Sequence, residues 1–271
     1  MRTVTASWVA SVLPPRPLDA NKGTFGRLLV IGGCERYRGA PVLAGLAAYR
    51  VGCGIVTLCV DPACSPTAGC WLPEATHLPF SLPVDATGIT AVVLGPGMGD
   101  SPLLAPYLAD PLPLSHVLDA DALNYLSSLP SWLPRLEEQA QNRQVILTPH
   151  PGEMARLCGL SVAEVQANRA KLAQQKAQEW RCVVVLKGAN TIIACPTDCA
   201  QLEGAIPALA VAGTGDVLAG VIGGLLAQGM PPFDAACAGA FLHAQAGQRW
   251  SDRHGDRGLL AHELTDYLLA P

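Results

Sequence analysis

The stretch Ala212-Gly213-Thr214-Gly215-Asp216-Val217-Leu218-Ala219-Gly220-Val221-Ile222-Gly223-Gly224-Leu225-Leu226 reads as a glycine turn feeding an apolar, buried helix. Amides at a helix start have no intrahelical partner, the helix dipole lies behind them, and glycines let an anion approach the backbone, so the turn is an anion site. Asp216 falls in the first turn of that helix. One reading makes it a cap that stabilises the helix start. The other begins from a charge conflict, because a carboxylate repels the anion that the amides attract. As a general base it would take the proton from an alcohol attacking a terminal phosphoryl group, while the amides of Gly213, Thr214 and Gly215 hold the charge on that group.

Working outward, short β-branched runs recur at 27–31, 55–60, 91–94, 116–118, 145–147 and 182–186, each followed by turn residues. Ala- and Leu-rich segments such as 40–51 and 162–180 are long enough for crossover helices. The alternation predicts one doubly wound α/β domain with a mainly parallel sheet and helices on both faces. Ligands bind such sheets at the carboxyl ends of the strands. Lys187-Gly188-Ala189-Asn190-Thr191 joins the runs 183–186 and 192–194, a spacing that predicts a hairpin and an antiparallel element late in the sheet. Residues 1–22, with Pro14, Pro15 and Pro17, are expected to form an N-terminal arm, partly amphipathic and then extended. Residues 23–271 are expected to be a single domain, and the Pro-rich stretch 103–114 a surface connection.

Half of the 271 residues are hydrophobic and 15% are charged, which supports a substantial core. The net charge of -4 and the absence of a basic run give no footprint for nucleic acid. No apolar stretch reaches the roughly 20 residues of a membrane span. Ten cysteines without a C-x-x-C pair, and no signal-peptide pattern, fit a reducing cytoplasm. Cys53, Cys59, Cys158, Cys182, Cys195 and Cys237 lie in apolar surroundings and read as small hydrophobes rather than metal ligands.

Gly213-Thr214-Gly215-Asp216 ahead of a helix resembles the anion-hole motif of ribokinase-like small-molecule kinases. Further strings narrow the likeness: Lys22-Gly23-Thr24-Phe25-Gly26, Val30-Ile31-Gly32-Gly33, Tyr37-Arg38-Gly39-Ala40-Pro41, Leu94-Gly95-Pro96-Gly97-Met98-Gly99, Asp119-Ala120-Asp121-Ala122-Leu123-Asn124, Thr148-Pro149-His150-Pro151-Gly152-Glu153 and Val185-Leu186-Lys187-Gly188. Each is weak alone. In this order, over about residues 22–262, they resemble the ADP-dependent (S)-NAD(P)H-hydrate dehydratase family.

The resemblance implies a ribokinase-like fold and, as substrate, NADH or NADPH hydrated at the nicotinamide ring. In that family the ring hydroxyl is phosphorylated, by ADP in bacteria or ATP in eukaryotes, and phosphate elimination restores the reduced cofactor; ADP yields AMP and phosphate. Hydroxide is a poor leaving group. Phosphate departs readily once the ring nitrogen pushes electrons towards an iminium, and proton loss then restores the dihydropyridine.

Carried over position by position, the resemblance implies Asp216 as the catalytic and substrate-binding aspartate. Gly215, with Gly213 and Thr214, would contact the nucleotide, as would the loop Lys187, Gly188, Ala189, Asn190 and Thr191. Ala40, Gly97, Gly99 and His150 would contact the hydrated cofactor. The residues' own chemistry leaves alternatives open. Ala40 and the glycines also suit helix packing beside Pro41 and a tight turn after Leu94. His150 between two prolines suits a ligand contact or a satisfied structural histidine. Lys187 suits phosphate or a surface carboxylate. Asn124 and Glu153 complete a polar lining.

Magnesium and ADP are the implied cofactor and co-substrate. Asp119, Asp121 and Glu153 are candidates to reach Mg²⁺ through water, with helix capping the alternative for the two aspartates. Metal ligands are not assigned. The resemblance also implies a homotetramer working beside a separate epimerase, because many relatives fuse an epimerase domain ahead of this one, and the chain is not expected to epimerise alone. One departure stands out: the family's usual Gly-Asn-Pro, or a close variant, is here Gly204-Ala205-Ile206-Pro207, with the amide either replaced by an aliphatic or shifted in register. Two rival readings are a kinase of a vitamin-precursor alcohol, opposed by the His150 motif, and a non-catalytic nucleotide binder, opposed by Asp216.

Overall fold

Runs of apolar residues without polar alternation build a sheet buried on both faces. The computed structural model describes residues 2–129 and 144–270. Its strands are β1 (Arg2–Thr3), β2 (Arg27–Gly32), β3 (Ile55–Val60), β4 (Thr76–Leu78), β5 (Ala91–Leu94), β6 (Ser115–Leu118), β7 (Val145–Leu147), β8 (Val183–Leu186), β9 (Ile192–Ala194) and β10 (Cys199–Gln201). They form one sheet in the order β1-β10-β9-β8-β7-β6-β5-β2-β3-β4. Pairings from β4 through β8 are parallel, and β9 runs antiparallel to both β8 and β10, as the hairpin reading expects. The strand order reverses between β2 and β5. In open α/β sheets such a reversal opens a crevice at the carboxyl ends of the strands.

Helices cover both faces: α1 (Ala6–Val12), α2 (Ala40–Arg50), α3 (Ser65–Trp71), α4 (Leu104–Ala109), α5 (Asp121–Ser127), α6 (Pro151–Cys158), α7 (Val162–Ala167), α8 (Arg169–Trp180), α9 (Thr214–Ala227), α10 (Pro232–His254) and α11 (Ala261–Leu264). Alternate strand residues feed two cores, Leu28 and Val30 packing with α2 and α9, and Leu29 and Ile31 packing with α5 and α6. Helix α9 is buried almost throughout because its glycines meet α2 closely. A Cβ on Gly220 would stand 2.0 Å from the Ala44 carbonyl oxygen, so the crossing needs glycine there.

The structure differs from the sequence reading in three places. The segment 162–180 is two helices, broken at Asn168, whose side-chain Nδ2 donates to the Glu164 carbonyl at 3.2 Å and competes with helix continuation. The stretch 103–114 contains α4, with Leu104 and Tyr107 buried, because Pro106 sits in its first turn where no backbone donor is needed. Strands β1, β4 and β10 have two or three residues each, too few for a periodic signal. Strand β1 pairs with β10, so the N-terminal arm adds to the sheet. Among the described residues no helix is long and apolar enough to cross a membrane.

Candidate active site

At the carboxyl end of the sheet, Gly213 takes φ +95° and α9 begins at Thr214. The first intrahelical bond runs from the Val217 amide to the Gly213 carbonyl at 3.1 Å, so the amides of Thr214, Gly215 and Asp216 precede the helix ladder. Two contacts fix the turn from behind. The Thr214 hydroxyl lies 2.9 Å from the Leu209 carbonyl and 3.0 Å from that of Val211. The Thr214 carbonyl accepts from His243 Nε2 at 2.8 Å. Burial pushes the His243 imidazole down to about 4, which keeps it neutral, with the proton on Nε2.

The Asp216 carboxyl is pushed up to about 7, first by burial and then by the charge of Asp119, with Lys187 opposing. It sits in the first turn of α9, behind a cap position taken by Gly213, which has no side chain to cap with. A carboxyl poised near neutrality suits a general base.

Lys187 follows β8, and its Nζ donates to Asp119 Oδ1 at 2.7 Å, with Glu153 Oε2 3.8 Å away. The same Nζ is 3.6 Å from the position that a Cβ on Gly215 would take. Its partner is therefore a buried carboxylate, not a surface one, and its charge sits beside the glycine turn. Burial alone would lower the Lys187 ammonium, but the Asp119 and Glu153 carboxylates outweigh it and hold the group above its ordinary value.

Neither Asp119 nor Asp121 supplies an N-cap side-chain bond to α5; the cap position is Ala120, at φ +49°. That conformation costs an L residue about 1–3 kcal/mol. Asp119 lies at the end of β6 and also accepts from the Thr148 hydroxyl at 2.7 Å. Asp121 Oδ2 accepts from the Gly99 amide at 2.7 Å. Asn124 donates to Asp121 at 3.3 Å and accepts from Arg156 Nη2 at 2.8 Å, so a chain of bonds links α6 to the Gly99 loop.

His150 is the N-cap of α6. Its Nδ1 accepts from the amides of Gly152 and Glu153 at 2.9 and 3.3 Å, and Glu153 Oε2 accepts from the His150 amide at 2.7 Å. In this capping box Nε2, on a half-exposed ring, stands 3.5 Å from Glu153 Oε1. Burial and then the Lys187 charge lower the His150 imidazole below its usual range. Burial raises the Glu153 carboxyl to about 7.

A cavity of about 490 Å³ is lined by His150, Lys187, Gly188, Ala189, Thr191, Thr214 and Gly215, with an apolar wall from Leu202, Ile206, Leu209 and Leu218. It brings together most of the expected nucleotide-site residues. Asn190, Gly213 and Asp216 are not in its lining; Asn190 Oδ1 accepts from the Gly204 amide at 2.9 Å and ties the loop to the opposite wall. Ile206, in the segment Gly204-Ala205-Ile206-Pro207, belongs to the apolar wall. Ala40, Gly97 and Gly99 lie outside this cavity, at the reversal between β2 and β5. There a Cβ on Gly97 would stand 2.8 Å from that of Ala40. The sequence reading missed His243, which lines the cavity; a lone histidine in the Ala-rich stretch 235–246 has no motif to mark it.

The fold and the glycine turn define a ribokinase-like protein. The chain has a TM-score of 0.83 and 26% identity to a ribokinase-like superfamily structure from Enterococcus faecalis, covering 98% of this chain and 93% of that one. Residues 28–269 match the Carb_kinase family, described as NAD(P)H-hydrate dehydratase, and the chain belongs to that family. It is 42% identical to an ADP-dependent (S)-NAD(P)H-hydrate dehydratase of Neisseria meningitidis, covering 96% of this chain and 89% of that protein. It is 36% identical to a bifunctional NAD(P)H-hydrate repair enzyme of Moorella thermoacetica, over 98% of this chain but 53% of that protein. The chain thus spans about half the length of the bifunctional relatives it matches. An ADP/ATP-dependent NAD(P)H-hydrate dehydratase from Bacillus subtilis, co-crystallised with ATP/Mg²⁺, superposes with a TM-score of 0.87 at 34% identity, covering 98% and 96% of the two chains.

Proposed function

We propose that the chain dehydrates the S form of hydrated NADH and NADPH, with ADP as phosphoryl donor, and releases AMP and phosphate. The observation that carries this reading is the meeting of Asp216, Lys187 and the Thr214–Gly215 amides at one helix start. Asp216 takes the proton of the ring hydroxyl, whose oxygen attacks the terminal phosphorus of ADP, and the bond to the bridging oxygen breaks to leave AMP. The turn amides hold the charge of the transferred group. The ring nitrogen then donates its electron pair, the carbon–oxygen bond breaks and phosphate leaves. Loss of a ring proton from the resulting iminium restores the dihydropyridine.

On this reading Gly213, Thr214 and Gly215 face the nucleotide phosphates, and Lys187, Gly188, Ala189, Asn190 and Thr191 form the nucleotide loop. Ala40, Gly97, Gly99, His150 and Asp216 contact the hydrated cofactor. Among the described residues no group of three His, Cys, Asp or Glu side chains is placed to hold a metal. That fits Mg²⁺ carried mainly by phosphates and water, with Asp119, Asp121 and Glu153 reaching it through water. The ion would neutralise phosphate charge. Residues 23–271 act as one catalytic domain, with 1–22 as its arm. The compartment is the cytoplasm, supported by ten free thiols. A homotetramer beside a separate epimerase rests on family resemblance alone.

The test is incubation of purified protein with S-hydrated NADH, Mg²⁺ and ADP or ATP, followed by the absorbance of the reduced cofactor. Absorbance should return, faster with ADP. Consumption of nucleotide without recovery would show a kinase that stops at the phosphoester, and neither change would show a binder.

A further inference from the structure

We infer that Arg169, at the start of α8, is a positioning residue that sets the nucleotide loop 187–191 into its anion-receiving conformation; this rests on the nucleotide site proposed above. The guanidinium faces the inner side of the loop. Arg169 Nη2 donates to the Leu186 carbonyl at 2.9 Å, to that of Lys187 at 3.3 Å and to that of Asn190 at 3.5 Å, and Nη1 adds a bond to Lys187 at 3.3 Å. Gln166 Oε1 accepts from Nη1 at 3.2 Å and steadies the fork. No loop carboxylate is involved, so the cation is spent on backbone carbonyls.

Peptide planarity turns this into a statement about the other side of the loop. A carbonyl held towards Arg169 sends the following amide the opposite way. The Leu186–Lys187 unit shows it: Arg169 takes the carbonyl, and the Lys187 amide donates to the Pro149 carbonyl at 2.9 Å. The next unit gives Arg169 the Lys187 carbonyl and directs the Gly188 amide away from the guanidinium, and Gly188, Ala189 and Thr191 line the cavity. Gly188 carries φ +134°, and a Cβ there would stand 3.2 Å from Arg169 Nη1. The guanidinium and the glycine therefore explain each other. Arg169 also brings positive charge behind amides that meet phosphate, without touching the ligand.

Lysine in place of Arg169 keeps a charge but loses the planar fork that spans several carbonyls. Isothermal titration of wild type, Arg169→Lys and Gln166→Ala with ADP and Mg²⁺ reads the effect directly, alongside the KM for hydrated NADH and the Tm of each ligand-free protein. Arg169→Lys should weaken nucleotide binding about tenfold or more, the scale of lost charge-assisted bonds, with KM for the hydrated cofactor within about twofold. Gln166→Ala should move the same quantity in the same direction by less. Unchanged nucleotide affinity in folded Arg169→Lys overturns the assignment, as does an equal loss at both ligand sites or a loss only in proportion to Tm. Failure of Arg169→Lys to fold passes the decision to Gln166→Ala, where unchanged affinity overturns it. Wild type that binds no nucleotide overturns the parent reading instead.

Discussion

Lys187 Nζ donates to Asp119 Oδ1 at 2.7 Å, and the same oxygen accepts from Thr148 at 2.7 Å, so the cation beside the glycine turn is held by a carboxylate two strands away at the same end of the sheet. Removing the lysine strands a buried charge. Lys187→Ala should cost about 3–5 kcal/mol of stability, and Lys187→Ala with Asp119→Asn should recover much of it. The nucleotide KM should stay raised in the double variant, and should rise more than the saturated rate falls. Urea unfolding with nucleotide titration checks both. A wild-type nucleotide KM in the folded double variant would place Lys187 in a structural role alone.

The Asp216 carboxyl sits at about 7, and the base must be ionised to work. Turnover of the free enzyme should therefore rise as pH rises through about 7 and level off above it. Lys187 favours the ionised form, so Lys187→Ala should move this limb to higher pH. A kcat/KM profile measured on both proteins decides it, and a limb in the ordinary carboxylate range near 4 argues against this base.

The Gly99 amide, Asp121, Asn124 and Arg156 form one chain of hydrogen bonds between α6 and the loop after β5. Asn124→Ala breaks it at the centre without touching the cavity. The KM for hydrated NADH should rise about tenfold, the scale of one or two bonds to charged groups, with nucleotide binding unaltered. Steady-state kinetics varying each substrate in turn would reveal the opposite split.

His243 is neutral when folded, with its imidazole pushed down to about 4, whereas an unfolded histidine titrates near 6.5. The unfolded chain then binds the extra proton. Stability from this group is present above about 6.5 and is lost as pH falls towards 4, by no more than about 3 kcal/mol. His243→Gln should lack that part of the pH dependence. Parallel unfolding curves for the two proteins between these pH values would contradict the buried neutral state.

The strands 27–32, 55–60 and 91–94 are legible in sequence because each is dominated by apolar, mostly β-branched or Leu residues, and the glycine turn is legible because Gly213-Thr214-Gly215-Asp216 runs straight into a long apolar helix. The antiparallel hairpin is legible from its five-residue loop. What sequence does not carry is pairing at a distance. Asp119 and Lys187 stand 68 positions apart, and nothing in either local string says that one neutralises the other. His150 as an N-cap is also hidden, because histidine is not among the usual capping types. Arg169 and His243 act through backbone carbonyls, which any neighbouring residue supplies, so no motif announces them.

The central claim is that Asp216 is the base for phosphoryl transfer, and Asp216→Asn tests it while keeping side-chain size. Thermal unfolding and dehydration of S-hydrated NADH should be measured on the same preparation. The variant should fold, and should be more stable relative to wild type at pH 8 than at pH 5, because the raised carboxyl is costly to ionise in the fold and Asn removes that cost. Its saturated rate should fall by about 10² to 10⁴ while nucleotide affinity holds or improves. Near-normal turnover by a stably folded Asp216→Asn protein would contradict the assignment.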